Sequence, residues 1–130
     1  MSSCSNKPSL YKPILHKKEL EMTFSALEKL LKTIEERKTA HADSSYTASL
    51  LAHAPEKPIC KLAEEVTELL IDVMKGDSNG ATKEAADVLY HYLVVLAAAD
   101  ISFSDVLSEL ESREGVSGHA EKQNRPKTSI

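Results

Sequence analysis

The chain has 130 residues, of which 42% are hydrophobic and 5% aromatic, and it carries a formal net charge of −4. This length suits one domain with a modest core, and the lack of tryptophan, with only four glycines and five prolines, favours helices over a β-sandwich or barrel. The net negative charge argues against a nucleic-acid-binding surface, and no apolar run is long enough to cross a membrane.

Two polar terminal segments flank the predicted domain. Residues 1–20 lack sustained periodicity and predict a flexible arm, residues 21–114 predict an all-α domain, and residues 115–130 predict a polar tail. The first residues lack the apolar core of a signal peptide, and Cys4 and Cys60 lack the spacing of a disulfide framework or a metal knuckle. We therefore expect a protein of the reducing cytoplasm that has no membrane partner.

The first predicted helix runs from about Thr23 to about Lys38, and Ser25 and Glu28 near its start have the spacing of a capping box. Its apolar residues recur at spacings of three and four; they are Phe24, Leu27, Leu30, Leu31 and Ile34. A polar loop follows, and three of its residues are good N-caps for a short helix ending at Ala52: Asp43, Ser44 and Ser45.

The third predicted helix extends from about Lys57 to Lys75 and is apolar along one face. This apolar seam consists of Ile59, Leu62, Val66, Leu69 and Val73. A strip of charged residues borders the seam on a helical wheel: Lys61, Glu65, Glu68 and Asp72, with Glu64 just beyond. The acids are therefore expected at the edge of the core and not on the solvated face.

The fourth predicted helix follows a turn over residues 76–80 and occupies about residues 81–99. Three polar residues line the border of its core face: Glu84, Asp87 and His91. From Tyr92 onward the helix is apolar nearly all round, and so small a chain offers few partners for such a surface. We infer a homodimer or higher homo-oligomer in which this helix packs at the subunit interface.

A last helix is expected after Ser102, which has capping-box spacing with Asp105. Three apolar residues of this helix would face the core: Val106, Leu107 and Leu110. The helical pattern fades near Gly115, and the residues beyond it are polar and somewhat basic.

Two acidic pairs on consecutive predicted helices are the main functional signal. Glu65 and Glu68 are three residues apart, as are Glu84 and Asp87, so two adjacent helices could present four carboxylates to one point. Clustered carboxylates repel one another and need a cation or a proton to coexist, and Mg²⁺ prefers oxygen ligands. The spacing predicts a divalent metal site, with an acidic, solvated helix surface as the alternative.

The residues around these acids resemble a known family. Residues 64–68 followed by residues 84–87 resemble the Glu-Glu-x-x-Glu … Glu-x-x-Asp signature of the all-α, MazG-type nucleoside triphosphate pyrophosphohydrolases. Within that superfamily, further segments resemble the phosphoribosyl-ATP pyrophosphohydrolase family in the same order: residues 35–38, 43–51, 57, 61, 84–91 and 117–122. The resemblance extends over roughly residues 22–127.

The resemblance implies an ATP-derived substrate and a metal-dependent reaction. It implies that phosphoribosyl-ATP is hydrolysed to phosphoribosyl-AMP and pyrophosphate with Mg²⁺, in the second step of histidine biosynthesis, by a four-helix-bundle-like homodimer. The metal ligands that it implies are Glu65, Glu68, Glu84 and Asp87. Glu64 would lie beside them, and either Glu64 or Glu65 would be the catalytic base that takes a proton from the attacking water.

Basic and hydroxyl-bearing residues upstream are the candidate substrate contacts: Arg37, Lys38, Tyr46, Thr47, Lys57 and Lys61. The cations would bind phosphate, and the other two would contact ribose or adenine. The structural alternatives are positive charge at a helix C-terminus for the first two, and an ion pair with Glu65 for Lys61. His91 could position a metal ligand, but a lone histidine on an apolar helix is more often structural, and we prefer that interpretation.

Two rival functions stay open from the sequence. A housekeeping nucleoside triphosphate pyrophosphatase would share the acidic motif but would not need the segment over residues 43–51. A non-catalytic helical dimer would use the acids only to bind a structural cation or as surface charge. Turnover of phosphoribosyl-ATP, compared with that of a panel of nucleoside triphosphates, distinguishes all three.

Overall fold

The computed structural model of the chain describes residues 16–115 and 125–126. The elements are α1 (Lys17–Arg37), a 3-10 helix (Ala42–Ser44), α2 (Tyr46–Ala52), α3 (Glu56–Lys75), α4 (Ser78–Ala98) and α5 (Phe103–Ser112). These described residues contain no strand, so the predicted all-α class is confirmed. None of the described helices is both long and apolar enough to cross a bilayer. The C-terminal segment over residues 117–122 lies outside the described part.

Helix α1 begins at Lys17 and not near Thr23 as predicted. The backbone N–H of His16 donates a hydrogen bond to Oε2 of Glu19 at 2.9 Å, which satisfies one of the free donors at this helix end. Ser25 lies inside the helix, so the capping box predicted there is wrong. The earlier residues of the expected N-terminal arm lie outside the described part of the chain.

The other two predicted caps had different outcomes. Ser45 caps α2, because its Oγ accepts a hydrogen bond from the backbone N–H of Ala48 at 3.0 Å. Ser102 precedes α5 as predicted, but its hydroxyl lies 2.7 Å from Oγ of Ser104 and does not cap the helix backbone. The capping box predicted for Ser102 with Asp105 is therefore wrong.

The core lies between α1, α2 and α4. Its buried apolar residues are Ile34, Ala48, Leu50, Leu93 and Val94. The second half of α4 packs within the chain, because Leu93 and Val94 share one cluster with Ile34 of α1 and Leu50 of α2. Part of this surface, expected at a subunit interface, is therefore covered by the chain itself. Tyr92 and residues 95–98 are only partly buried, so the interface expected there stays a prediction.

The apolar seam of α3 is largely exposed. Ile59 and Val73 have more than half of their surface in solvent, and the only buried residues within α3 are Pro58 and Glu65. The helix therefore packs on α4 through the strip that carries Glu65. Of the seam expected in the core, Leu62 and Leu69 are partly buried and the other three residues are exposed. Two residues of α5 that were expected to face the core are exposed as well: Leu107 and Leu110.

Candidate metal centre

Helices α3 and α4 form an antiparallel hairpin that positions the acidic residues. Gly76 ends α3 with a left-handed backbone, φ 73°, which a residue without Cβ adopts at no steric cost. Asp77 then caps α4 by accepting a hydrogen bond from Gly80 N–H at 2.9 Å. Asp72, the last acid of the α3 strip, lies against this turn. A Cβ added to Gly80 would be only 2.6 Å from its Oδ2.

The hairpin brings three of the predicted ligands together. Three carboxylates each direct one oxygen into a common space, where the oxygens lie within 4.8 Å of one another: Glu65 of α3, and Glu84 and Asp87 of α4. The carboxylate of Glu68 adjoins Glu84 from the facing turn of α3. Three of the four acids thus converge at one point between the helices, and the fourth, Glu68, lies next to Glu84.

The electrostatics of this cluster suit a cation. The pKa of Glu84 is raised to about 7, first by burial and then by its contact with Glu65 and by the negative charge of Glu68. Oε2 of Glu84 is buried and has no hydrogen-bond partner among the described residues. An unsatisfied carboxylate oxygen among other acids is costly unless a cation or proton neutralises it. An all-oxygen donor set of this kind fits Mg²⁺.

Lys61 links the cluster to Glu64. Its Nζ lies 3.0 Å from Oε2 of Glu64 and 3.4 Å from Oε1 of Glu65, and the hydrogen bond that it donates to Glu64 is the main reason that the pKa of Lys61 is raised. Glu64 itself has 55% of its side chain exposed and is not one of the three converging ligands. The structure therefore separates the adjacent glutamates into an inner Glu65 and an outer Glu64.

Aromatic and imidazole rings border the cluster on the α2 side. The ring of Tyr46 lies edge-on to His91, with centroids 6.1 Å apart, and stacks on Tyr90 at 6.5 Å. Thr47 is 8% exposed, and its hydroxyl hydrogen-bonds the phenol of Tyr90. Nε2 of His91 lies 3.8 Å from Oε1 of Glu65. Tyr46 is half exposed beside the acids, whereas Thr47 is buried and its hydroxyl is bonded to Tyr90.

Of the remaining candidate cations, Lys38 lies away from the cluster. Lys38 pairs with Glu35 at 3.2 Å and with Asp100 at 3.3 Å. Asp100 follows the acids of α4 by more than three helical turns, roughly 20 Å along the helix, so Lys38 lies well away from them. Arg37 and Lys57 form no ion pair with a described residue. Lys57 precedes Lys61 by one turn on the same face of α3.

Two features of this site had little signal in the sequence. Tyr90 was expected in the core or at an interface, and nothing in the spacing connects it with Thr47, from which 43 positions separate it. The sequence placed His91 on the border of the core face of α4 but did not show that only 4% of its surface would be exposed. The i, i+4 spacing of Asp87 and His91 was the one available indication that this histidine shares the face of the acids.

Known proteins resemble this chain over most of its length. The family profile described as phosphoribosyl-ATP pyrophosphohydrolase matches residues 27–114. A Cereibacter sphaeroides protein named phosphoribosyl-ATP pyrophosphatase is 54% identical over 101 residues, which cover 78% of this chain and 98% of that protein. A Ruegeria pomeroyi protein of the same name is 54% identical over 103 residues, covering 79% and 98% respectively. The chain therefore belongs to the phosphoribosyl-ATP pyrophosphohydrolase family.

Proposed function

We propose that the chain hydrolyses phosphoribosyl-ATP to phosphoribosyl-AMP and pyrophosphate in a reaction that requires Mg²⁺, as the second step of histidine biosynthesis. Membership of the family supports the substrate and the products. The metal requirement rests on one observation above all, the buried and unpartnered Oε2 of Glu84 among converging carboxylates. A helix surface whose acids were only solvated would leave no such oxygen.

The proposed ligands are the four acids of the two pairs. Glu65, Glu84 and Asp87 are supported by their converging oxygens, and Glu68 by its contact with Glu84. Mg²⁺, when bound, would offset the charge of the polyphosphate and lower the pKa of water. Glu64 or Glu65 would accept the proton of the attacking water, and Lys61 lies close to both carboxylates.

The substrate would lie across the hairpin and the start of α2. Lys61, with Lys57 one turn before it, would supply positive charge to the phosphates beside the acids. The half-exposed ring of Tyr46 would offer a stacking face to the adenine, and Thr47 would act through Tyr90, since its hydroxyl is already bonded there.

The end of α1 would hold the far end of the substrate. Arg37 and Lys38 lie in and just after the last turn of this helix. Because Lys38 lies away from the acids, it would not contact the phosphates between which the bond is cleaved. It would instead bind the phosphate of the phosphoribosyl group. The ion pairs of Lys38 with Glu35 and Asp100 would then compete with the substrate.

The activity is tested with purified protein, phosphoribosyl-ATP and a pyrophosphate assay, with and without Mg²⁺. We expect pyrophosphate release only with the metal, and a loss of more than about 100-fold in Glu68→Gln and Asp87→Asn, since even outer partners of a metal site cost 10–100-fold. Glu28→Gln, an exposed acid of α1, is the matched control and should keep full activity. Faster turnover of ordinary nucleoside triphosphates would overturn the substrate assignment.

We also propose that two copies associate through the exposed seam of α3 and form a bundle of four helices from two hairpins. Leu70 and Met74 widen this seam, and they and Val73 each have more than half of their surface exposed. Ile59, about three turns earlier on the same helix, is 52% exposed. A helix with one apolar face is normally stable only when that face is covered. A second copy of the chain offers a matching apolar face, and its hairpin would complete a two-layer arrangement.

The association is tested by sedimentation. The unmodified chain should sediment as a dimer, and the double variant Leu70→Glu/Val73→Glu as a monomer, because each change puts a charge on the proposed interface. Met22→Glu, at a similarly exposed apolar residue of α1, should stay dimeric. A monomeric wild-type protein at micromolar concentration would refute the proposal.

A cytoplasmic location completes the proposed function. Cys60 is a free, exposed thiol among the described residues, as is common where the compartment is reducing. Fractionation of the native host, with immunodetection of the chain, tests this, and recovery in an exported fraction would contradict it.

A further inference from the structure

His91 is buried beside the acids without being satisfied. Only 4% of its surface is exposed, and its Nδ1 is buried with no hydrogen-bond partner among the described residues. A histidine kept only for packing is expected to pair its nitrogens, since a buried unpaired polar atom is destabilising. The burial of this ring is thus not explained by the fold alone.

Packing holds the ring of His91 in one orientation. The ring of Tyr90 meets it at 73° with centroids 4.9 Å apart, and the ring of Tyr46 meets it at 88°. Tyr90 is itself held by the hydroxyl of Thr47. The imidazole is therefore fixed by neighbours that do not depend on its nitrogens, and one of those nitrogens, Nε2, faces Glu65 at 3.8 Å.

The position of His91 suits a partner of a ligand and not a ligand itself. Its nitrogens are not among the converging atoms, which come from Glu65, Glu84 and Asp87. The contacts of Glu65 with His91 and with Lys61 both fall on Oε1. Oε2 of Glu65 takes part in neither contact and is left available for a cation.

We propose that His91 is a positioning residue, which donates from Nε2–H to Oε1 of Glu65 and so turns the other oxygen of that carboxylate toward the bound cation. The inference rests on the proposed metal function of the acids. The gap of 3.8 Å must shorten by about 1 Å to reach the length of a hydrogen bond to a carboxylate. Nε2 carries a hydrogen in the neutral Nε2–H tautomer and in the imidazolium, so the contact forms with either.

The test compares His91→Gln with His91→Asn. Both are uncharged amides, but the glutamine nitrogen can reach the position of Nε2, whereas asparagine reaches only that of Nδ1. Mn²⁺, a substitute for Mg²⁺, is titrated calorimetrically into each metal-free protein without nucleotide. We expect the dissociation constant to rise about 10-fold or more in His91→Asn and to stay within about 3-fold of wild type in His91→Gln.

A purely structural histidine would give a different result. Equal Mn²⁺ affinities in wild type and both variants would overturn the inference, as would an equal loss in both. Thermal unfolding of the metal-free proteins shows whether each variant is folded; should His91→Asn fail to fold, His91→Phe replaces it and is expected to lose affinity to the same extent. If wild type itself binds no Mn²⁺ while remaining folded, the proposed metal centre fails and the role of His91 fails with it, a result distinct from equal affinities in wild type and both variants.

Discussion

Metal binding to this site should be coupled to a proton on Glu84. With a pKa of about 7 in the metal-free protein, roughly nine-tenths of Glu84 is ionised at about pH 8 and roughly one-tenth at about pH 6. A divalent cation needs the ionised form, so the proton must leave when the metal binds. We therefore expect the affinity for Mn²⁺ to fall about tenfold from about pH 8 to about pH 6, with release of about half a proton at neutral pH.

Calorimetric titration in two buffers with different ionisation enthalpies measures the released proton directly. The matched variant is Glu84→Gln, which binds Mn²⁺ less tightly but has no carboxyl to titrate and should show a much flatter pH dependence. An affinity in the wild-type protein that does not change over this range, or a proton count near zero at neutral pH, would refute the reasoning. Either result would mean that Glu84 does not bind the metal.

The same pKa sets the pH dependence of stability without metal. The pKa of Glu84 is raised above its ordinary value of 4.5, so the folded chain holds a proton that the unfolded chain has already lost. The stability that this bound proton contributes is therefore lost as the pH rises from about 4.5 to about 7. Metal reverses the trend, and Mg²⁺ should raise the unfolding temperature more at about pH 8 than at about pH 6.

Three further predictions concern the stability of the fold, each measured by urea unfolding. Leu50→Ala removes a fully buried core side chain and should cost about 3 kcal/mol, whereas the exposed Leu110→Ala should cost less than about 0.5 kcal/mol. Ser45→Ala removes the cap of α2 and should cost about 1 kcal/mol, with no change expected in Ser45→Asp. Asp100 has a positive φ of 54° and an exposed ion pair worth little, so Asp100→Gly should be about 1 kcal/mol more stable than Asp100→Ala.

The acidic site was predictable because helical periodicity fixes it locally. Residues three apart lie on one face of a helix, so the pairs Glu65 with Glu68 and Glu84 with Asp87 needed only a hairpin to meet. The short turn after Gly76 provides that hairpin. The predicted ends of α3 and α4 also agree with the structure to within a few residues, because glycine and aspartate mark the turn between them.

The packing partners of each apolar face were not predictable from the same pattern. Periodicity shows that α3 has an apolar side, but it does not show what covers that side, and the chain leaves Val73 exposed. At the apolar end of α4 the pattern likewise does not show that Leu93 and Val94 pack on Ile34 and Leu50, which come from distant parts of the sequence. Local rules also failed at the start of α1, where His16 is not a usual capping residue.

The antiparallel hairpin has a consequence for how the acidic signature tolerates insertions. Each acid of α3 meets an acid of α4 across the helix pair, so the spacing within each pair is rigid: one inserted residue between Glu65 and Glu68 would rotate one of them by about 100° off the shared face. The stretch between Glu68 and Glu84 is different, because it forms only the end of α3, the turn and the start of α4. Equal lengthening of both arms would carry the turn outward and leave the four carboxylates opposed, so evolution can vary the gap between the pairs while each pair keeps its spacing of three.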